Sequence, residues 1–161
     1  MEVNEGSLDG SGLRIAIIQS SFNQMITDTL RRGAIEGLVQ NGVSEDSIKV
    51  YIVPGALEIP LILQEVARRG NFDGAVCVGA VIQGDTAHFD VVVDQSADGI
   101  SRVSLEQHFP VSNGVLTTNT VEQAMARAGG KAGNKGMDAS LALLSTINLL
   151  GMMRGKTNEQ Q

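Results

Sequence analysis

Tryptophan is absent and tyrosine occurs once, so aromatic residues make up only 3% of the 161 positions. Any core must therefore be built from Ile, Val, Leu, Met and Ala, and a ring-stacking task has few candidates. Cysteine also occurs once, as Cys77 inside the apolar run 75–81. A single thiol excludes a disulfide framework and a thiolate metal cluster, and it reads as a small buried hydrophobe in a strand. Positive charge is in the minority: 12 Lys and Arg stand against 18 Asp and Glu, a net charge of −6. That balance excludes a broad basic footprint for nucleic acid but leaves room for a local cationic pocket. No continuous apolar run approaches the roughly 20 residues needed to span a bilayer. The first dozen residues are acidic and polar, unlike a secretory signal. The expectation is a cytoplasmic protein with no membrane or nucleic-acid partner.

Hydrophobic residues form 42% of the chain and glycine occurs 19 times. The length suits one domain, and the glycines sit mainly at turns and loop–helix junctions. Four short apolar runs, residues 14–18, 48–53, 74–81 and 111–116, have the near-continuous hydrophobicity of strands covered on both faces. Helical spacing predicts helices over 27–39, 58–69, 88–108, 120–128 and 138–153. Pro60 falls in a first turn, Thr120 is a cap with Glu122 behind it, Gly42 is a stop and His108 is a C-terminal cap. Strands alternating with helices imply right-handed crossovers and an α/β fold. It is a single-domain, three-layer α/β/α sandwich around a mostly parallel four-stranded sheet. Residues 1–12 read as an N-terminal arm, 13–155 as the domain and 156–161 as a frayed tail.

Ligands of open parallel sheets bind beyond the carboxyl ends of the strands. Four loops lie there: residues 19–23, 54–58, 79–88 and 117–119, and the first three should converge on one pocket. Phe22 is either a core residue or a ring-stacking platform. Glu58 at a helix start serves the helix dipole, a ligand hydroxyl, or both. Gly84, Asp85 and Thr86 lead into a helix whose free N–H groups suit an anion, although the charge of Asp85 opposes it. His88 is either a structural residue at the helix start or a proton carrier near pH 7. Arg127, Lys131 and Lys135 flank the glycine-rich stretch 128–136, which is either a solvated basic connection or a phosphate grip. The chain has no P-loop, no dinucleotide-binding glycine pattern, no histidine-rich zinc motif and no serine-hydrolase elbow.

The ordered set SFN at 21–23, VPGALEIP at 53–60, GAVIQGDTAHFD at 79–90, GVLTT at 114–118, EQ at 122–123, RAG at 127–129 and GNKG at 133–136 resembles the lumazine synthases, from about residue 8 to 150. The resemblance implies a flavodoxin-like fold. It also implies cofactor-free condensation of 5-amino-6-(D-ribitylamino)uracil with 3,4-dihydroxy-2-butanone 4-phosphate, giving 6,7-dimethyl-8-ribityllumazine. Under it, Phe22 stacks on the pyrimidine, and Ala56, Leu57 and Glu58 hold the ribityl chain. Ala80, Val81 and Ile82 read the uracil edge through main-chain groups, and Asn113 joins the pyrimidine wall. Asp85 and Thr86 bind phosphate chiefly through backbone N–H groups, with Arg127 from a neighbouring subunit and Lys135 nearby. His88 moves protons. The sequence departs from the family at Ser21, where Arg is frequent, at Ala80, where Thr or Gly is frequent, and at Asn113, where Phe is frequent.

The resemblance further implies a homopentamer. With no residues inserted in the link 128–136, it implies an icosahedral shell of pentamers, with riboflavin synthase as an enclosed or downstream partner. The arm, at residues 5–10, is long enough to add a strand to a neighbour's sheet. Two other readings stand beside this one: a riboflavin synthase of the archaeal type, and a shell protein that binds flavin or lumazine without catalysis.

Overall fold

A computed structural model of the chain describes residues 1–155; the tail expected at 156–161 lies outside them. The order is β1 (Ile15–Ser20), α1 (Gln24–Gln40), β2 (Ile48–Val53), α2 (Ile59–Arg69), β3 (Gly74–Ile82), α3 (His88–Gln107), β4 (Val111–Thr118), α4 (Val121–Arg127), β5 (Ala128–Gly130), β6 (Gly133–Asn134) and α5 (Lys135–Met153). Strands β1 to β4 form one parallel sheet in the order β2-β1-β3-β4. The expected three-layer α/β sandwich is therefore present. Alternation along the strands sends Ile15, Ile17, Val76 and Val78 toward α1 and α5. Ala16, Ile18, Ala75 and Cys77 point to the opposite face, toward α2 and α3. Each large aliphatic side chain buried this way contributes about 1.5–3 kcal/mol.

Cys77 is fully buried, and desolvation pushes its thiol up to about 12. The reactive thiolate is thus suppressed at neutral pH. At pH 8 the folded protein is expected to resist an aromatic disulfide reagent and to react at one thiol per chain only in denaturant. Rapid labelling of the folded protein would contradict this burial.

Several boundaries differ from expectation for identifiable reasons. Strands β1 and β4 run on through Gln19–Ser20 and Thr117–Thr118, where polar side chains break the apolar pattern but the backbone ladder continues, and β3 runs one residue further, to Ile82, because it stays paired with Thr118 of β4. Helix α5 starts three residues early because the Asn134 side chain accepts from Gly136 N at 2.8 Å and Met137 N at 3.2 Å. The glycine-rich connection is a small antiparallel hairpin, β5–β6, with Gly129 and Gly133 at positive φ. Helix α5 has 19 residues and an 18-residue stretch of mean hydropathy 1.3, which is long and apolar enough to cross a bilayer by composition, contrary to expectation. Its apolarity serves packing, since Leu143, Leu144 and Ile147 enter the core beside α1. Gly33, Gly37 and Gly136 let α1 and α5 approach closely. A Cβ on Gly136 would overlap the Leu30 carbonyl, and one on Gly37 the Ser140 hydroxyl.

The arm contains no strand. Ser145 Oγ donates to the Gly6 carbonyl at 3.2 Å, and Asn148 Nδ2 donates to the carbonyls of Ser7 at 2.7 Å and Asp9 at 2.9 Å. Gly10 N donates to Asn41 O at 2.7 Å. Residues 6–13 therefore lie against α5 and the end of α1 of their own chain, while residues 1–5 are exposed.

Candidate active site

The chain leaves β1 at the sheet's centre, where β2 and β3 lie on its two sides. The exit is tied to β2 by Ser21 N to Val53 O at 2.8 Å and Phe22 N to Pro54 O at 3.1 Å. Ser21 Oγ also donates to Pro54 O, at 3.3 Å. Beneath this exit, buried Gln19 donates through Nε2 to Asp28 Oδ1 at 2.7 Å and to Thr27 Oγ1 at 3.1 Å. Its Oε1 accepts from Arg31 at 2.8 Å. A buried amide with both ends satisfied fixes the start of α1 against the strand end. Phe22, held between these anchors, remains 72% exposed. An aromatic ring left in water in a chain so poor in aromatics favours the stacking role over a core role.

After β2, Gly55 is extended and residues Ala56–Glu58 make a 3-10 turn into α2, with Pro60 in its first turn. Glu58 stands at the helix start, where the dipole favours its charge, and its carboxylate has no hydrogen-bond partner among the described residues. After β3, Gln83 N donates to Thr118 O at 2.9 Å, and Thr86 Oγ1 accepts from His88 N at 3.3 Å at the mouth of α3. Ala80 and Val81 are buried, while Thr86 and His88 are exposed.

These three loops enclose a cavity of about 360 Å³ lined by Phe22, Gly55, Ala56, Leu57, Glu58, Ala80, Val81, Ile82, Gly84, Thr86, His88, Phe89 and Val92. Asp85 sits in the same turn without lining it. Phe89 and Val92 were missed from sequence, although Val92 stands three residues after Phe89 and four after His88 on one face of α3. Asn23 was read only as part of a motif; its Nδ2 donates to the Ala80 carbonyl at 3.3 Å.

Asn113, Arg127 and Lys135 are not in this cavity. They line a second, open pocket of about 570 Å³ along β4, with Thr117, Thr118, Asp138 and Ser96. The reason is topological: β4 is an edge strand, and the end of α4 and the start of α5 border that edge. Asn113 Oδ1 accepts from Val115 N at 2.9 Å, occupying a donor on its own strand. Arg127 donates to Gln123 O at 2.9 Å and makes no ion pair among the described residues. The chain thus carries an aromatic, carboxylate and imidazole cavity with no cation in its lining, and a separate pocket lined by Arg127 and Lys135. No cluster of three or more His, Cys, Asp or Glu side chains occurs among the described residues.

Compared with known families, residues 12–151 match the family model described as 6,7-dimethyl-8-ribityllumazine synthase.

Proposed function

The chain belongs to the 6,7-dimethyl-8-ribityllumazine synthase family, and from that premise we propose the condensation of 5-amino-6-(D-ribitylamino)uracil with 3,4-dihydroxy-2-butanone 4-phosphate. Membership makes it an enzyme of riboflavin biosynthesis and a transferase; the particular reaction and the roles below are our reading. One observation carries it: the exposed Phe22 ring shares a cavity with His88 and with the Glu58 carboxylate, which has no partner among the described residues, and residues 80–82 at the end of β3 line the same cavity.

In this reading the pyrimidine stacks on Phe22, and the backbone of Ala80, Val81 and Ile82 pairs with its edge. Glu58 and the Ala56–Leu57 main chain accept the ribityl hydroxyls. The phosphate lies against the N–H groups of Asp85 and Thr86 at the start of α3. The missing positive charge comes from Arg127 and Lys135 of an adjacent copy, whose β4 edge also brings Asn113 to the pyrimidine. The uracil 5-amino group attacks the ketone and yields an imine with loss of one water, phosphate is eliminated from the neighbouring carbon chain, and the ribityl-bearing nitrogen closes the ring onto the resulting carbonyl with loss of a second water. His88 accepts and returns protons. Alignment of the two substrates supplies the larger share of rate, up to about 7–11 kcal/mol in well-oriented intramolecular reactions.

A head-to-tail contact that joins two different surfaces closes into a ring when its rotation divides a full turn, and a fifth of a turn gives a pentamer. Leu61 at 70% and Leu105 at 77% exposure are apolar surface for such contacts. The β2 edge, with Val50 and Ile52 exposed, is where a neighbour's residues 1–5 would pair. The link through β5 and β6 carries no insertion, in keeping with a shell of pentamers, and we place the protein in the cytoplasm with riboflavin synthase as its enclosed or downstream partner.

The test is to mix the pure protein with both substrates and to follow lumazine absorbance and free phosphate together. Equimolar appearance of the two is expected. Conversion of added lumazine to riboflavin, or no release of phosphate, would overturn the assignment.

A further inference from the structure

Asn23 combines two local features that run against its position. A helix N-cap ordinarily has extended backbone, and its side chain accepts from the first-turn N–H groups. Asn23 precedes α1, yet its backbone is left-handed, φ 61° and ψ 50°, and its side chain makes no cap hydrogen bond. The other non-glycine residue at positive φ among those described is His108, at a helix C-terminus where that conformation is ordinary. The unusual backbone turns the Asn23 amide away from its own helix and across to β3, where it donates to the Ala80 carbonyl. That carbonyl lies two residues beyond Val78, the last β3 residue paired with β1. Asn23 therefore replaces a strand partner where the strand has ended. Ser21 and Phe22 are bound to Val53, the last residue of β2, and to Pro54 just beyond it. Among the described residues, Asn23 supplies the only side-chain hydrogen bond from this loop to β3.

We infer that Asn23 is a positioning residue: its left-handed backbone and its bond to Ala80 set the gap between the Phe22 ring and the main chain of residues 80–82. This rests on the pyrimidine-binding role proposed for that gap. A planar ring held by stacking on one side and by edge contacts on the other is sensitive to this separation. A phosphate held from α3 and from an adjacent copy is not.

Three variants separate the two features in the intact assembly. Asn23→Gly keeps the backbone accessible and removes the donor. Asn23→Asp tolerates the left-handed backbone, keeps the size and offers only acceptors to a carbonyl. Asn23→Ala opposes both features. The Gly and Asp variants are each expected to raise KM for the pyrimidine about five- to tenfold, with KM for the sugar phosphate changed less than twofold. Amide exchange at residues 22–24 of the unliganded protein should quicken in both. Ala should be the most impaired. Wild-type pyrimidine KM and exchange in both Gly and Asp would overturn the donor role, even if Ala were impaired. Equal effects on the two substrates with a lowered Tm would reduce Asn23 to a structural residue. If the wild-type protein forms no lumazine, the catalytic reading fails, while the exchange measurement still decides whether Asn23 ties the loop to β3.

Discussion

Replacing His88 with alanine is expected to lower kcat at least about 10²-fold while leaving measurable turnover. His88 is the first residue of α3, with its backbone N–H held by Thr86 and its exposed ring in the cavity that also contains Glu58 and Phe22. An imidazole at that place can carry protons between the attacking amine, the departing phosphate and water. Residual activity follows because substrate alignment by backbone groups survives the loss of one side chain. His108 provides the control. It caps the far end of α3 in a left-handed conformation, so His108→Asn, which tolerates that backbone, should leave kcat unchanged. A His88→Ala enzyme with the wild-type rate at saturating substrates would remove His88 from the chemistry.

Arg127→Ala is expected to raise KM for the sugar phosphate about ten- to a hundredfold, the range for loss of a charge-assisted hydrogen bond. KM for the pyrimidine should change little. Because the Arg127 pocket and the His88 cavity are separate in one protomer, the two variants should complement each other. When His88→Ala and Arg127→Ala chains are unfolded, mixed equally and refolded together, roughly a quarter of the interfaces in a randomly assembled ring unite two intact contributions. Activity at low sugar phosphate should then exceed the sum of the separately refolded variants. A mixture no better than that sum would place both residues in a single protomer's site and end the shared-site reading.

The central strands β1 and β3 were legible because they are buried on both faces and therefore apolar, and the edge strands β2 and β4 because Ile, Val and Leu still recur in them although each is only partly buried. Their ends were not, since Gln19, Ser20, Thr117 and Thr118 continue the ladder with polar side chains. The hairpin β5–β6 was beyond periodicity, because strands of three and two residues have none. The early start of α5 was signalled only by Asn134, which in a glycine-rich stretch looks like an ordinary turn residue. The apolarity of α5 escaped notice because Ser140, Ser145, Thr146 and Asn148 interrupt the run without lowering its mean below the membrane range. For the site, strand-end geometry brought the loops of Phe22, Glu58 and His88 to one place. It said nothing of Asn113, whose grouping with Phe22 came from resemblance, and the fold of the chain keeps the two apart. The diversion of Asn23 from cap to cross-strand anchor depends on where β1 ends, and residue identity alone does not reveal that.

The clamp on the N-terminal arm has a consequence for divergence. Ser145 and Asn148 grip the arm mainly through the carbonyls of Gly6, Ser7 and Asp9, and every residue type supplies a carbonyl. Selection on the arm should therefore fall on spacing rather than on identity. The exceptions are Gly6 and Gly10, where a Cβ would strike the α5 backbone or the Val43 side chain. Between them Leu8 is at liberty to drift, while Ser7 Oγ accepts from Asn148 at 3.3 Å and Asp9 Oδ1 from Ser11 N at 2.9 Å; a one-residue deletion would slide each carbonyl out of reach of its donor.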